Sequence, residues 1–357
     1  MSENILSRRQ LLGGVGAAFA GAAYAQAPGA KPAAPGTAKP AAPAAPARPR
    51  LTIDSGSRIA PVDEIVLIRE FEDSARLKLS AAVFSTITGT DHRASDRMTI
   101  HPRMFFPTMD MDLSVELFGD KLFAPIMVGA WPEQKRYHAD AELGTVRGAA
   151  AGKAAVVISS QSSVPIDQIM AEAKTPVWFQ VAAGPEAQAA VARATKAGVR
   201  AIVVTLAAEP DWAAIDGLRK GLNVPLVVKG ITTAAGAKAA LQNGVQGIIV
   251  CDAANTSAPL LVLASISDAV AGTVPVLYQG SVRCGADVYK ALAFGAKAVL
   301  VGRPAMWALG AYGAIGVQTM VELMQGAELA RTMVMMGTST PAKAERKAVR
   351  IHATATT

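Results

Sequence analysis

From about residue 120 onward the chain alternates short, continuously apolar runs rich in valine and isoleucine with longer alanine-rich stretches. The apolar runs span 125–128, 155–159, 177–181, 201–206, 225–229, 247–251, 274–278 and 298–301. They are not alternately apolar and polar, so each predicts a strand buried on both faces, as in a parallel sheet covered by helices. The stretches between them predict helices over 140–151, 185–197, 234–243, 258–270 and 286–294, with Gly152, Gly198, Gly244 and Gly295 at C-cap positions. Eight strand–helix units in this length predict an α/β fold of the (β/α)8, or TIM-barrel, type, with residues 51–119 as an N-terminal helical and loop cap. An open doubly wound sheet is the alternative. No G-x-G-x-x-G follows the first strand, which counts against a dinucleotide-binding version of it.

The pattern differs before residue 51. Ser7-Arg8-Arg9-Gln10-Leu11-Leu12 leads into a weakly apolar run ending at Ala23-Tyr24-Ala25. A paired arginine, a short apolar region and an A-x-A site predict a cleavable twin-arginine signal over 1–25, hence export, for example to a periplasm. The run from Leu11 to Ala23 is 13 residues, short of the roughly 20 that a membrane span requires. No span is therefore expected after cleavage. Residues 26–50 contain seven prolines and no acid, which predicts an extended linker, leaving 51–357 as the folded domain.

Charge changes little in this picture. The formal net charge is +7, of which Lys31, Lys39, Arg48 and Arg50 supply +4 from the linker alone. No basic patch with interleaved aromatics appears, so a nucleic-acid partner is not expected. The four histidines, His92, His101, His138 and His352, form no cluster, and metal-ligand spacing is missing. Cys251 and Cys284 are too few for a disulfide framework but could form one bond, or a redox pair, if exported. Two buried thiols filling space is the plainer reading. The methionines near the C-terminus (Met320, Met324, Met333, Met335 and Met336) read as core packing.

In a barrel of this kind the site forms at the C-terminal ends of the strands. Those ends carry Gly129, Ala130, Ser159, Ser160, Gln180, Thr205, Lys229, Cys251, Asp252, the run Gln279-Gly280-Ser281-Val282-Arg283, and Gly302-Arg303. Glycines and arginines on the last two strands suit a phosphate group: backbone N–H groups can approach it and guanidinium groups give charge-assisted bonds. Lys229 ends an apolar strand and needs a partner, either a ligand or a barrel carboxylate such as Asp252. Each signal also has a plain structural alternative. Ser159 and Thr205 could be satisfied by backbone, and Gly302-Arg303-Pro304 could be a strand-to-helix turn.

These residues resemble the FMN-dependent 2-hydroxy-acid oxidases and dehydrogenases, the glycolate oxidase and L-lactate dehydrogenase type, over roughly 65–350. The resemblance rests on Phe71-Glu72-Asp73-Ser74-Ala75-Arg76-Leu77-Lys78-Leu79, on Pro225-Leu226-Val227-Val228-Lys229-Gly230-Ile231, on the run from Val282 to Ala296, and on Val301-Gly302-Arg303-Pro304. It implies FMN as cofactor. Lys229 would lie by the N1/C2=O edge of the ring, Gln180 and Thr205 on its pyrimidine side, and Ser159 beside it. Ala130 and Trp131 would lay backbone against the ring, and Gln279 would face the ribityl chain. Ser281, Arg283, Gly302 and Arg303 would surround the phosphate. Gln279 replaces the family's aspartate and Ser281 its glycine, and both are compatible with these roles. Relatives commonly form homotetramers, so a homo-oligomer is an expectation.

The substrate half departs from the family. Where its base histidine and carboxylate-binding arginine stand in S-N-H-G-x-R, this chain has Ala253 and Thr256 within Cys251-Asp252-Ala253-Ala254-Asn255-Thr256. Two family tyrosines align with Ala182 and Thr86, and the segment bearing a second arginine is missing after Pro210. Oxidising a 2-hydroxy acid needs a base near the hydroxyl and cations on the carboxylate, and the base alone is worth roughly 10²–10⁴-fold. The expectation is an exported FMN oxidoreductase with diverged substrate chemistry. The alternative is a non-catalytic flavin- or phosphate-ligand-binding protein. Replacement groups are not obvious: Asp252, Tyr278, Cys251, Cys284 and His138 are the candidates near the strand ends, and the sequence identifies a partner for none of them.

Overall fold

The computed structural model describes residues 59–88, 94–103, 110–251 and 259–352. The leader and linker segments, Asp252, Ala253 and Thr256 lie outside the described residues. The described fold belongs to one unit, Ser55–Thr357. It opens with helices α1 (Ile68–Lys78) and α2 (Ala81–Ser85), then strand β1 (Met98–Ile100), which pairs antiparallel with β12 (Val349–Ile351). A hairpin of β2 (Val115–Leu117) and β3 (Asp120–Leu122) precedes the barrel.

The apolar runs form the barrel strands β4 (Ile126–Gly129), β5 (Ala155–Ser159), β6 (Val177–Ala182), β7 (Ala201–Thr205), β8 (Leu226–Ile231), β9 (Gly247–Val250), β10 (Val276–Gln279) and β11 (Ala298–Val301). They pair in parallel in sequence order, and β11 closes on β4. Closure excludes the open-sheet alternative. Between them run α3 (Ala141–Ala151), α4 (Ile166–Glu172), α5 (Ala187–Ala197), α6 (Trp212–Lys220), α7 (Ala234–Gln242), α8 (Pro259–Val270) and α9 (Gly285–Ala293). The chain ends with α10 (Arg303–Glu322), a π-helical turn over Leu323–Ala330, and α11 (Arg331–Met335). The short α4 and α6 were not among the helices expected from the pattern. Elsewhere the ends shift by at most two residues: β8 runs past Lys229 to Ile231 through a register irregularity, and β10 starts at Val276.

Successive side chains on a strand point to opposite faces, and this sorts the barrel residues into two cores. Met127, Ala155, Val157, Trp178, Ala201, Val203, Val227, Ile249, Leu277, Ala298 and Leu300 pack together in the lumen. Their neighbours, such as Val128, Val156, Phe179, Val204, Val228, Tyr278 and Val299, pack outward against the helices. The β2–β3 hairpin closes the N-terminal end. Val115, Leu117 and Leu122 join the lumen core, and the Phe118 ring lies 5.5 Å from that of Trp178.

The cap helix α1 is bound to α10: Lys78 Nζ donates to Ala311 O at 2.6 Å, and the Tyr312 hydroxyl, which donates to Ala60 O at 2.6 Å, lies 2.9 Å from Ser74 Oγ. Within α10 the helix breaks at Gly313, with φ of 65°. There the His138 imidazole packs so closely that a Cβ on Gly313 would lie 2.9 Å from its Cε1. Met320, Met324, Met333 and Met336 are core residues as expected, whereas Met335 is 52% exposed.

Candidate active site

Strand parity decides which groups reach the mouth of the lumen. Ser159, Gln180, Thr205, Lys229, Cys251, Gln279 and Gly302 continue the lumen-facing series two residues beyond the core layer of Val157, Trp178, Val203, Val227, Ile249, Leu277 and Leu300. The ladder sets Ser159 opposite Gln180 and Thr205 opposite Lys229. Lys229 Nζ donates a 3.0 Å hydrogen bond to Gln180 Oε1. Lys229 is 7% exposed, and among the described residues no carboxylate lies within ion-pair distance of it. Burial holds its ammonium below the usual lysine range, with the Cys251 sulfur acting in the opposite sense.

Two more polar atoms in this ring are buried without a partner among the described residues: Thr205 Oγ1 and Gln279 Oε1. Ser159 is different, since its Oγ accepts from Gln161 N at 3.1 Å. A buried cation with one neutral partner and two orphaned oxygens, all at one mouth, constitute a donor and acceptor set awaiting a ligand.

The neighbouring rim is basic. Arg283 follows β10, its guanidinium 4.8 Å from the Trp307 ring centroid, and its backbone N–H donates to Asp287 Oδ2 at 3.0 Å. Ser281 is buried beside it. Gly302 is the N-cap of α10, whose first residues are Arg303 and Pro304. This is the strand-to-helix turn anticipated from the motif, and it also places a helix N-terminus at the site. A Cβ on Gly302 would come within 3.3 Å of Trp131 Cε3, so the Trp131 indole covers this turn.

A connected polar network fixes the Trp131 loop, and sequence reasoning missed most of it. Trp131 Nε1 donates to Tyr137 OH at 2.9 Å, and Tyr137 OH lies 2.9 Å from Thr86 Oγ1. Thr86 Oγ1 itself donates to Val83 O at 2.7 Å, so the Tyr137 hydroxyl is the donor to Thr86. Behind the loop, the buried Glu142 accepts from Gln134 N at 3.1 Å and Ser163 N at 2.9 Å. Gln134 Nε2 in turn donates to Trp131 O at 3.2 Å. Glu142 thereby joins the loops after β4 and β5. Its only sequence signal is an acid in the first turn of a helix, the ordinary place for one. Ala130 is buried at the foot of this loop. It follows Gly129, whose φ of 108° and close approach to Val157 O leave no room for a side chain.

Several of the candidate replacement groups are away from the mouth. Tyr278 has the outward parity and packs in the helix layer. His138 lies against the α10 break, its Nδ1 accepting from Asp140 N at 3.1 Å. Cys284 is the N-cap of α9, and burial, then the nearby Asp287, pushes its thiol up to about 12. No disulfide joins Cys251 to Cys284. Cys251 alone of this group faces the lumen, and Asp252 lies outside the described residues.

Fold and site together define a class: a (β/α)8 barrel that presents two arginines and a helix N-terminus beside a polar ring of strand-end side chains. The FMN-dependent dehydrogenase family matches residues 80–208 and 205–351. A peroxisomal (S)-2-hydroxyacid oxidase of Arabidopsis thaliana is 27% identical over 354 residues, covering 81% of this chain and 97% of the relative. Mouse 2-hydroxyacid oxidase 1 is 31% identical, covering 73% and 90%. A crystal structure of mandelate oxidase with (S)-2-phenylpropionate superposes with a TM-score of 0.75 at 28% identity, covering 81% of this chain and all of that one. The chain belongs to the FMN-dependent dehydrogenase family. The barrel and the family's FMN cofactor both agree with expectation.

The residues present fit that cofactor. Arg283, Arg303, Ser281 and the Gly302 turn would hold its phosphate, and Gln279 a ribityl hydroxyl. Thr205, Gln180, Lys229 and Ser159 would hold the polar edge of the ring, over the backbone of Ala130 and Trp131. Thr205 Oγ1 and Gln279 Oε1 would thereby gain the partners they lack within the described residues.

Proposed function

We propose that this protein is an exported FMN oxidoreductase of 2-hydroxy-acid oxidase descent that has retained the cofactor grip and abandoned the family's substrate chemistry. The observation that carries the proposal is a contrast at one barrel mouth. Lys229, Gln180, Thr205 and Gln279 form a polar ring with unfilled bonding capacity, whereas the substrate-side positions have lost their chemistry. Ala182, where the family has a tyrosine, presents a methyl group. The hydroxyl of Thr86, at the other tyrosine position, is engaged by Val83 O and Tyr137. Ala253 and Thr256 can supply neither a base nor a cation. The Arg8-Arg9 pair and Ala23-Tyr24-Ala25 support export by the twin-arginine route.

When bound, FMN supplies two-electron redox chemistry of its own. The chain's contribution is binding, orientation and charge. Lys229 sets a buried positive charge against the ring's polar edge. The arginines anchor the phosphate, and Trp131 covers the turn that leads into α10. No described residue at the mouth clamps a carboxylate as the lost arginines would, so a substrate bound here is held by other means.

Purified full-length protein, freed of its leader, provides the test. A yellow protein with a flavin spectrum that lactate, glycolate and mandelate fail to bleach is the expected result. Robust oxidation of any of these acids overturns the proposed loss of substrate chemistry. A colourless protein that takes up no FMN overturns the flavin assignment. Bound flavin that no donor or acceptor can cycle favours a non-catalytic binding protein.

A further inference from the structure

Behind the phosphate rim stand two buried carboxylates that the proposed chemistry does not use. The first backbone N–H of α9 belongs to Gly285, which donates to Glu328 Oε2 at 2.6 Å. Glu328 also accepts from the backbone of Ile68 at the start of α1. It lies in the π-helical turn after α10, whose wider winding brings it against Gly285. A Cβ there would lie 2.6 Å from Glu328 Cβ and would also overlap the backbone of Leu329. Two residues earlier, the Arg283 N–H is taken by Asp287 Oδ2. The segment from Arg283 to Gly285 is therefore fastened at both ends by carboxylates.

We propose that Glu328 is a positioning residue for the cofactor's phosphate, its carboxylate fixing Gly285 and through it the backbone from which the Arg283 guanidinium projects. A charge-assisted bond to a helix N-terminus is short and strong, and it complements the positive end of the helix. It also occupies an N–H that a phosphate could otherwise use, and so directs the phosphate to Arg283, Arg303 and the α10 turn. The charged and titratable groups around Glu328 are Asp287 from α9, Arg331 from α11, and Cys284, whose high pKa keeps it neutral. Lys290 stands 3.5 Å from Asp287 and balances it.

Energetics separate positioning from mere structure. Burial pushes the Glu328 carboxyl up, partly offset by the two backbone N–H groups. With its folded pKa above the unfolded one, the folded state binds more protons across that window, and stability falls as pH rises through it. The ionised form is thus a cost to folding at neutral pH.

The inference rests on loop 279–283 holding the FMN phosphate, and the experiment separates the two. FMN is titrated into apoprotein by fluorescence quenching at several pH values, beside apoprotein melting curves. Glu328→Gln is expected to weaken FMN binding about tenfold, the difference between a charged and a neutral acceptor, with the melting temperature unchanged or raised. Both proteins keep the titration of the phosphate itself, and only the parent shows an added loss of affinity as Glu328 protonates. Glu328→Asp keeps the charge but withdraws it from Gly285 N, and is expected to bind more weakly too. Parent-level affinity in either variant overturns the inference. If Arg283→Met meanwhile loses FMN, the phosphate reading stands without it; parent-level affinity in Arg283→Met as well overturns that reading.

Discussion

Lys229 and Gln180 meet across β7, the ammonium of one donating to the side-chain oxygen of the other at 3.0 Å. Neither residue belongs to the strand between them, which contributes Thr205 to the same rim. A lysine buried with a single amide partner is costly in isolation. Its retention makes sense when a ligand with an electron-rich edge completes the site, as the family's flavin does.

This relationship predicts opposite effects of Lys229→Met on stability and on binding. The folded pKa of Lys229 lies below its unfolded value. Between the two values the unfolded state binds more protons, so apoprotein stability rises with pH through that window. At neutral pH the charge is a cost. The methionine variant should melt at least ~2 °C higher as apoprotein, the scale of somewhat over 1 kcal/mol in a domain of this size, yet lose most of its FMN affinity. Apoprotein melting curves and FMN titrations check both, and a lower melting temperature would show that Lys229 stabilises the empty barrel.

Tyr137→Phe removes the acceptor of Trp131 Nε1 and the donor to Thr86 Oγ1 at once. An unsatisfied indole N–H costs up to about 1–3 kcal/mol when fully buried, and Trp131 is part-buried. The variant should be destabilised by up to that order in urea unfolding. Tryptophan emission, measured with Trp178, Trp212 and Trp307 left in place, should shift as the Trp131 indole loosens from the Gly302 turn. Unchanged stability would mean that the indole finds water instead.

The barrel and the polar groups at its mouth were legible because each depends on local pattern. A strand buried on both faces reads as an apolar run wherever it occurs, and Lys229 ending such a run marks itself by its cost. Parity then carried Ser159, Gln180, Thr205 and Gln279 to the mouth without any long-range information. The same rule, applied to Tyr278, would have removed it from the replacement groups, since it is one residue out of phase with Gln279. His138 was illegible for another reason: its neighbour is Gly313, 175 positions away, where α10 breaks. Glu328 was hidden in the same way, since a π-helical turn has no clear sequence signature and its partners, Gly285 and Ile68, are distant in the chain.

Cys284 should be nearly inert to alkylation. Burial and the nearby Asp287 push its thiol up to about 12, so the nucleophilic thiolate is scarce at neutral pH. Native protein treated with iodoacetamide at about pH 8, where an unperturbed thiol of pKa near 8.5 is partly ionised, should modify neither Cys284 nor the buried Cys251 at an appreciable rate. Mass spectrometry after a timed quench reads the result. Labelling of Cys284 as fast as a free thiol would place the residue in a different environment and reopen a redox role for it.

The strongest test of the proposed divergence is an attempt to reverse it. Ala253→His with Thr256→Arg restores the family's base and one carboxylate-binding cation in name. It leaves Ala182 without a phenol, Thr86 occupied by Tyr137 and Val83 O, and the segment after Pro210 short. General-base action contributes roughly 10²–10⁴-fold only when substrate is already oriented, and orientation here depends on the groups still missing. The double variant should therefore retain FMN yet show no anaerobic bleaching of the flavin by L-lactate, glycolate or mandelate. Adding Ala182→Tyr should bring the first measurable reduction, because its phenol enters the lumen-facing series beside Gln180. If the double variant alone turns over these acids briskly, the loss is confined to one loop and the barrel mouth remains a 2-hydroxy-acid site in all other respects.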